Sequence, residues 1–319
     1  MSATLITGGS GFLGNYLAKE LVNQGEKVVM MYSSNPNLLP YVEEIEDKVE
    51  KVKGDLSSWT DIFDTIKKYN VSKVYHSGAF LSHKAEGDPV KAFQVNLLGT
   101  WYILEAARLF DIKQVIFVST IASFGDHITD PVSNFAPQLP HTMYGVTKVS
   151  SERLGEYYWR KFNIDFRGVR FPSVIGPGRG PGGVSAYSTL IVEKPALGEE
   201  YNAFVEPRNC MPLLYIDDAI KALTMLSEVP EEKLNCRMYN IQGFSPTAGE
   251  MVEEIKKNLP DAKINFKPEE PMVKIVDSWP NELDDSEAKK DWGWKADFKM
   301  EEAIEDFITK VREFNKAKI

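Results

Sequence analysis

The chain of 319 residues has only two cysteines, Cys210 and Cys236, far apart and without a paired spacing. Their scarcity excludes a disulfide framework and a cysteine-ligated metal knuckle, and fits a reducing compartment. There is no basic run. The 37 Lys and Arg are scattered among 46 Asp and Glu, giving a net charge of -9, so nucleic acid is not an expected partner. No stretch approaches the roughly 18 consecutive apolar residues of a membrane span. The opening "MSATLITGGSGFLG" lacks the basic start and unbroken apolar run of a secretory signal, and a cytoplasmic protein is expected. Internal repeats and low-complexity tracts are also missing. What is present is ordinary globular composition, 43% hydrophobic, enough to bury a large core in one big or two fused domains.

Short β-rich apolar runs recur, each followed by a helical pattern: "ATLIT" then 12–24, "KVVMMY", "VEKVKGD" then 59–69, "KVYHSGA" then 89–110, "QVIFVST" then 144–162, and "DFRGVRF". Strands alternating with such helices imply an α/β fold with a parallel sheet wound by right-handed crossovers. Residues 1–175 read as one doubly wound, dinucleotide-binding unit. After Phe171, "PSVIGPGRGPGGVSAY" crowds Pro and Gly together and regular structure must stop, which suits a substrate loop. "PLLYIDDAIKALTML" reads as a short strand and helix returning to the main sheet, so that 215–243 rejoins it. Residues 176–214 and 244–319 are expected to form a smaller C-terminal substrate-binding region.

"ITGGSGFLG" sets Gly8, Gly11 and Gly14 between the first strand and the first helix. Glycines there permit a tight turn, let a pyrophosphate approach bare backbone, and leave helix N-terminal amides facing its oxygens. The second strand ends in Tyr32, Ser33 and Ser34, where a carboxylate would grip the ribose of NAD. NAD and NADP both remain open. Asp55 in "KGDL" is placed either to accept from an adenine amino group or to serve as a turn and helix-start residue.

Tyr144 and Lys148 stand at i and i+4, on one helical face. An ammonium beside a phenol favours the phenolate and lowers its pKa from about 10. A phenol so tuned is a general base. Ser119 and Thr120 end the strand before that helix, where ligand groups converge in open parallel sheets.

With "GDL", "VNLLGT", "VSTIASFG", "YGVTK", "RFPSVIGPG" and the closing "WGW", the chain resembles, over nearly its whole length, the extended short-chain dehydrogenase/reductase family of NDP-sugar epimerases and dehydratases. The resemblance implies a Rossmann fold, NAD or NADP, and catalysis by Thr120, Tyr144 and Lys148. It implies a cofactor lining of Gly8, Gly11, Phe12, Leu13, Gly14, Ser33, Asp55, Leu56, Gly78, Ala79, Asn96, Ser119, Phe171, Pro172 and Val174, joined by Tyr144 and Lys148. It also implies a homodimer formed through the helices at 89–110 and 144–162.

A narrower likeness, in "HTMYGVTKVSSERLGEYY" and "DSWPNELDDSEAKKDWGW", is to short-chain L-threonine 3-dehydrogenases. It implies that Ser82, Thr120, Tyr144 and Trp279 meet the substrate. That group's Thr pair is replaced here by Val184 and Ser185, so one hydroxyl of the substrate clamp is absent.

Three functions are in play: oxidation of a secondary alcohol, with L-threonine as the leading substrate; NDP-sugar epimerisation by the same triad; and dinucleotide binding without turnover. A 4,6-dehydratase is disfavoured, because Ile121 and Ala122 follow Thr120 where that chemistry needs acids. A bare binder would have no use for Tyr144 and Lys148 together.

Overall fold

The computed structural model describes residues 2–125 and 128–316. Its first half alternates as the apolar runs predict. β1 (Ala3–Thr7) leads to α1 (Phe12–Asn23), β2 (Val28–Tyr32), β3 (Val49–Lys53), α2 (Trp59–Tyr69) and β4 (Val71–His76). A long crossover follows, made of α3 (Ser82–Gly87), α4 (Pro89–Ala92), a π-helical turn Phe93–Leu98 and α5 (Gly99–Leu109). Then come β5 (Gln114–Thr120), α6 (Met143–Phe162) and β6 (Asp165–Phe171).

β1 and β5 carry apolar side chains on both faces and are buried nearly throughout, as strands covered by helices on both sides must be. β3 is rich in charge, with Glu50, Lys51 and Lys53 among its five residues, and pairs on one side only, so these side chains blunt a sheet edge.

The second half supplies β7 (Ser173–Ile175), α7 (Tyr187–Ala196), β8 (Tyr201–Ala203), β9 (Leu213–Tyr215), α8 (Ile216–Glu228) and β10 (Met238–Asn240). It ends with α9 (Ala248–Asn258), β11 (Ile264–Phe266), α10 (Glu270–Asp277), α11 (Ser286–Trp292) and α12 (Met300–Lys316). The main sheet runs β3-β2-β1-β4-β5-β6-β10, with every pair parallel. The chain winds outward from β1 to β3, then crosses back to lay β4 against the other side of β1. That reversal opens a crevice at the carboxyl ends of β1 and β4, where such sheets bind ligands.

One sequence expectation fails. The strand in "PLLY" does not return to the main sheet; β9 pairs with β7 in a separate two-stranded sheet, and the return is made by β10. Pro172, between β6 and β7, has no N–H to continue the ladder, so the chain leaves the main sheet there. One face of the main sheet packs Leu5, Val29, Ile103, Phe117 and Phe166. The other joins a larger core with Leu17, Tyr215, Trp294 and Phe307, which ties α1, α8 and α12 together. Asp218 accepts the Asp297 and Phe298 amides at 2.8 and 3.1 Å and fastens the chain after "WGW" to α8.

Candidate active site

The glycine loop sits in the crevice between β1 and β4. Gly8 has φ +66°, and a Cβ there would lie 2.6 Å from Gly78 Cα. A Cβ on Gly14 would meet Gly9 Cα at 2.7 Å, so α1 can approach the loop only without a side chain at that position. Gly11 caps α1 with no side-chain hydrogen bond, and the first turn holds no acid. The helix start at Phe12 and Leu13 therefore presents uncapped amides on a bare surface, which fits a dinucleotide pyrophosphate.

Asn15, fully buried, stiffens this cradle. Its amide donates to Gly11 O at 2.8 Å, and its Oδ1 accepts from Leu39 N at 2.8 Å. Beneath the cradle, His76 Nδ1 and Thr7 Oγ1 are 2.7 Å apart, His76 Nε2 and Thr100 Oγ1 3.0 Å, and Gly78 N donates to Thr7 Oγ1 at 3.1 Å. Burial, with the Lys148 charge nearby, pulls His76 down to about 3. His76 is thus a neutral spacer that sets the distance between β1 and β4. Sequence reading passed over both residues; the available signal was a polar side chain inside an apolar strand and on the buried face of a helix.

Around this cradle the expected cofactor residues divide. Gly78 and Ala79 follow β4 beside Gly8, and Leu56 packs against Gly78. Phe171, Pro172 and Val174 are buried where β6 gives way to β7. Asn96 accepts Phe80 N at 2.7 Å and donates to Thr147 Oγ1 at 3.0 Å, tying the loop after β4 to α6. It does so from the π-helical turn, a distortion that recurs at functional sites. Ser33 is exposed just past β2. Asp55 is engaged locally: it accepts from Ser57 N and Oγ at 2.8 and 2.7 Å, and Lys91 Nζ lies 3.0 Å away.

The three residues expected to be catalytic lie around the end of β5. Thr120 Oγ1 accepts from Ala122 N at 3.2 Å, capping the turn Ile121–Ser123 and leaving its own hydrogen free to donate. Ala122 packs against the small apolar cluster of Ala85, Ala92 and Tyr144, the last in the first turn of α6. That helix starts at Met143, one residue before Tyr144, because Thr142 caps it, accepting from Gly145 N at 3.1 Å. Tyr144 Oη makes no hydrogen bond to a described residue, and the residue is 9% exposed. One turn on, Lys148 is 3% exposed; its Nζ donates to Val118 O at 2.6 Å and stands 5.9 Å from the Tyr144 ring centre.

Two expectations require correction. Lys148 does not acidify the phenol in the protein alone: burial pushes the Tyr144 hydroxyl up. The ammonium is turned to Val118 O and is itself pulled down to about 7 by burial, against an opposing pull from Glu152. Ser119 does not offer its hydroxyl to a ligand, since it is 2% exposed and donates to Glu152. Glu152, missed in the sequence although it continues the Tyr144–Lys148 face by another i+4 step, also accepts from Gln138 Nε2 at 2.9 Å and Arg170 Nη2 at 2.8 Å.

Of the expected substrate residues, Ser82 is exposed at the start of α3, and Val184 and Ser185 are half-buried before α7. Trp279 is half-buried against the larger core. The segment after it is docked onto the chain beyond β5. Asp130 accepts from Asn281 N and Glu282 N at 3.0 and 2.9 Å, and Leu283 packs with Phe124, Val132 and Ile121 beside Thr120.

Residues 4–241 match the model of the NAD dependent epimerase/dehydratase family. The mitochondrial L-threonine 3-dehydrogenase of Bos taurus is 32% identical over 303 residues, covering 94% of this chain and 80% of the relative. An L-threonine dehydrogenase structure from Clostridium difficile superposes with a TM-score of 0.90 at 32% identity, covering 98% of each chain. A UDP-glucose 4-epimerase from Thermotoga maritima reaches 0.85 at 22% identity over 98% of this chain and 99% of its own, a likeness of fold. Glycine cradle, switch-point crevice and converging trio agree with these matches: the chain belongs to the NAD dependent epimerase/dehydratase family and is a nicotinamide-dependent oxidoreductase of the short-chain dehydrogenase type.

Proposed function

We propose that the chain oxidises a secondary alcohol to a ketone, and that L-threonine, giving 2-amino-3-oxobutanoate, is its substrate. The observation that carries this reading is the gathering of Thr120, Tyr144 and Lys148 beside the glycine cradle. A bound oxidised nicotinamide supplies the hydride acceptor and a positive charge. Thr120 donates its hydroxyl hydrogen to the substrate oxygen and fixes it. Tyr144 Oη, as phenolate, takes the alcohol proton while the carbon-bound hydrogen leaves with its electron pair, so one alcohol yields one ketone, one hydride and one proton. Lys148, held by Val118 O, supplies cationic charge on the Tyr144 side of the helix. Burial opposes the phenolate, so that charge is needed during turnover.

Residues 176–214 and 244–319 recognise the substrate in this reading, with Ser82, Val184, Ser185 and Trp279 around it. The docking of 281–283 beside Ile121 supports the role of the C-terminal part. The test is the absorbance of reduced nicotinamide when purified protein meets L-threonine with NAD and, separately, NADP. Rapid reduction is expected with one of them. Interconversion of UDP-sugars with no net reduction would replace this reading by an epimerase.

We further infer a homodimer through α5 and α6, which leave Trp101, Val146 and Tyr157 between 38% and 54% exposed. Light scattering checks this, and a metagenomic L-threonine 3-dehydrogenase described as monomeric, 28% identical with a TM-score of 0.90, makes the alternative concrete. No helix among the described residues is long and apolar enough to cross a membrane. Free Cys210 and Cys236 suit the cytoplasm, where we place the protein.

A further inference from the structure

Arg179, in the loop between β7 and α7, is a cation without an anion. Its Nη1 donates to Ser173 Oγ at 2.9 Å, Ser185 O at 3.2 Å and Thr189 Oγ1 at 3.2 Å, and its Nη2 donates to Ser185 Oγ at 2.7 Å. Every acceptor is neutral. Arg179 is half-buried, whereas the arginines that are buried hold carboxylates: Arg167 has Asp165, Arg170 has Glu152, and Arg237 has Asp165 and Glu231. Among the described residues Arg179 has no such partner, and burial lowers it to about 10, which leaves it charged at neutral pH.

A partly desolvated guanidinium whose protein partners are all neutral is stabilised when an anion joins it. Four bonds engage Nη1 and Nη2 only, so Nε–H and one N–H of Nη2 meet no acceptor among the described residues. Those two groups form one side of the fork that receives a carboxylate with two parallel bonds. The place is also right. Phe171 is the register partner of Thr120, and Ser173, which anchors Arg179, lies two residues further along the chain, at most about 7 Å from it. Ser185, the second anchor, stands beside Val184, where the hydroxyl expected of a substrate clamp is missing.

We propose that Arg179 receives the carboxylate of the substrate, so that the alcohols this chain oxidises are 3-hydroxy acids. This rests on the dehydrogenase reading above and names its substrate class. Ser173, Ser185 and Thr189 hold the guanidinium in one orientation, and the carboxylate, once paired, turns the carbinol carbon towards Thr120 and Tyr144. Lysine could not replace the fork, because an ammonium offers no planar pair of donors.

The test compares L-threonine with L-threoninamide, which lacks the carboxylate, in the native protein and in Arg179→Gln. For the acid, kcat/KM should fall on the order of 100-fold, mainly through KM, as loss of a charge-assisted double bond predicts. For the amide it should barely move, and dinucleotide affinity should stay unchanged. An equal loss on acid and amide would mean that Arg179 only fastens its loop, and would overturn the proposal. Should Arg179→Gln fail to fold, Arg179→Lys serves: its acid-to-amide preference should drop about tenfold, and an unchanged preference overturns the idea.

Calorimetry on dinucleotide-saturated protein separates the two readings. Binding of L-threonine that depends on Arg179, without turnover, keeps Arg179 as the carboxylate site and removes the dehydrogenase. Turnover of alcohols lacking a carboxylate as well as of the acid keeps the dehydrogenase and removes this proposal. Arg179-dependent binding of UDP-glucose, with none of the acid, also removes it in favour of a diphosphate.

Discussion

Helix α6 carries two buried charges one turn apart, and their surroundings are opposite. Lys148 has three donors and one protein acceptor, Val118 O, and no described carboxylate within ion-pair distance. Glu152 is fully buried with both oxygens occupied by Ser119, Gln138 and Arg170. Burial acts to raise Glu152, yet the Arg170 guanidinium and the hydrogen bonds hold it below the usual carboxylate range. The same burial leaves Lys148 depressed to about 7. The Glu152 half of the helix is satisfied and holds β5, α6 and β6 in place. The Tyr144–Lys148 half is held short of satisfaction at a groove, the condition under which a ligand or a proton changes most.

Removing the phenol should give the largest effect. Tyr144→Phe should cut turnover about 1,000-fold, the scale of a lost general base, while dinucleotide affinity stays within about twofold. Turnover that survives would erase the distinction between the two halves of α6. Next comes the satisfied half: Glu152→Ala strands Arg170 in the interior and should destabilise the fold by about 3 kcal/mol, read as a lower urea midpoint. A midpoint left where it was would show that this network does not carry the packing of the three elements.

The alternation of strands and helices, the glycine loop and the placing of Tyr144 and Lys148 on one face of a helix were legible because each is local: a period, a turn, an i+4 step. What escaped was pairing across the fold. Ser119 looks like a ligand group at a strand end, but its direction is decided by Glu152, 33 residues away. The phenol's pKa was misjudged because a neighbouring lysine is visible in sequence while burial is not. Asp55 sits where a base-binding acid belongs, but Lys91 reaches it from α4. Arg179 reads as one more charge in a glycine-rich loop until its three hydroxyl neighbours and its lack of a carboxylate are seen together.

The penalty on Lys148 can be weighed by pH. Its folded pKa, about 7, lies below the ordinary 10.5, so between those values the unfolded chain holds a proton that the folded chain lacks. Stability from this group therefore rises as pH climbs from 7 to 10.5, and below 7 the full penalty applies. Lys148→Met should abolish activity yet stabilise the protein by about 2 kcal/mol at pH 6, after allowing for the bond lost at Val118 O. The gain should shrink towards pH 10. Melting curves at both pH values check it, and an equal gain at both would assign the effect to packing instead of charge.

The smallest change should sharpen the contrast from the substrate side. Val184 begins the turn before α7 and is half-buried, with Gly183 at φ +74° ahead of it. Thr has nearly the volume of Val, so Val184→Thr adds a hydroxyl without repacking the turn, and stability should change by less than about 1 kcal/mol. One added hydrogen bond should lower KM for L-threonine about threefold to tenfold and leave kcat alone, because the bond forms equally in ground and transition states. A KM that does not move would mean that position 184 never reaches the substrate, leaving Arg179 and Ser185 to orient it. A fall in kcat would mean that the new hydroxyl holds the alcohol away from Tyr144, and the satisfied and unsatisfied halves of α6 would then be coupled through the substrate loop.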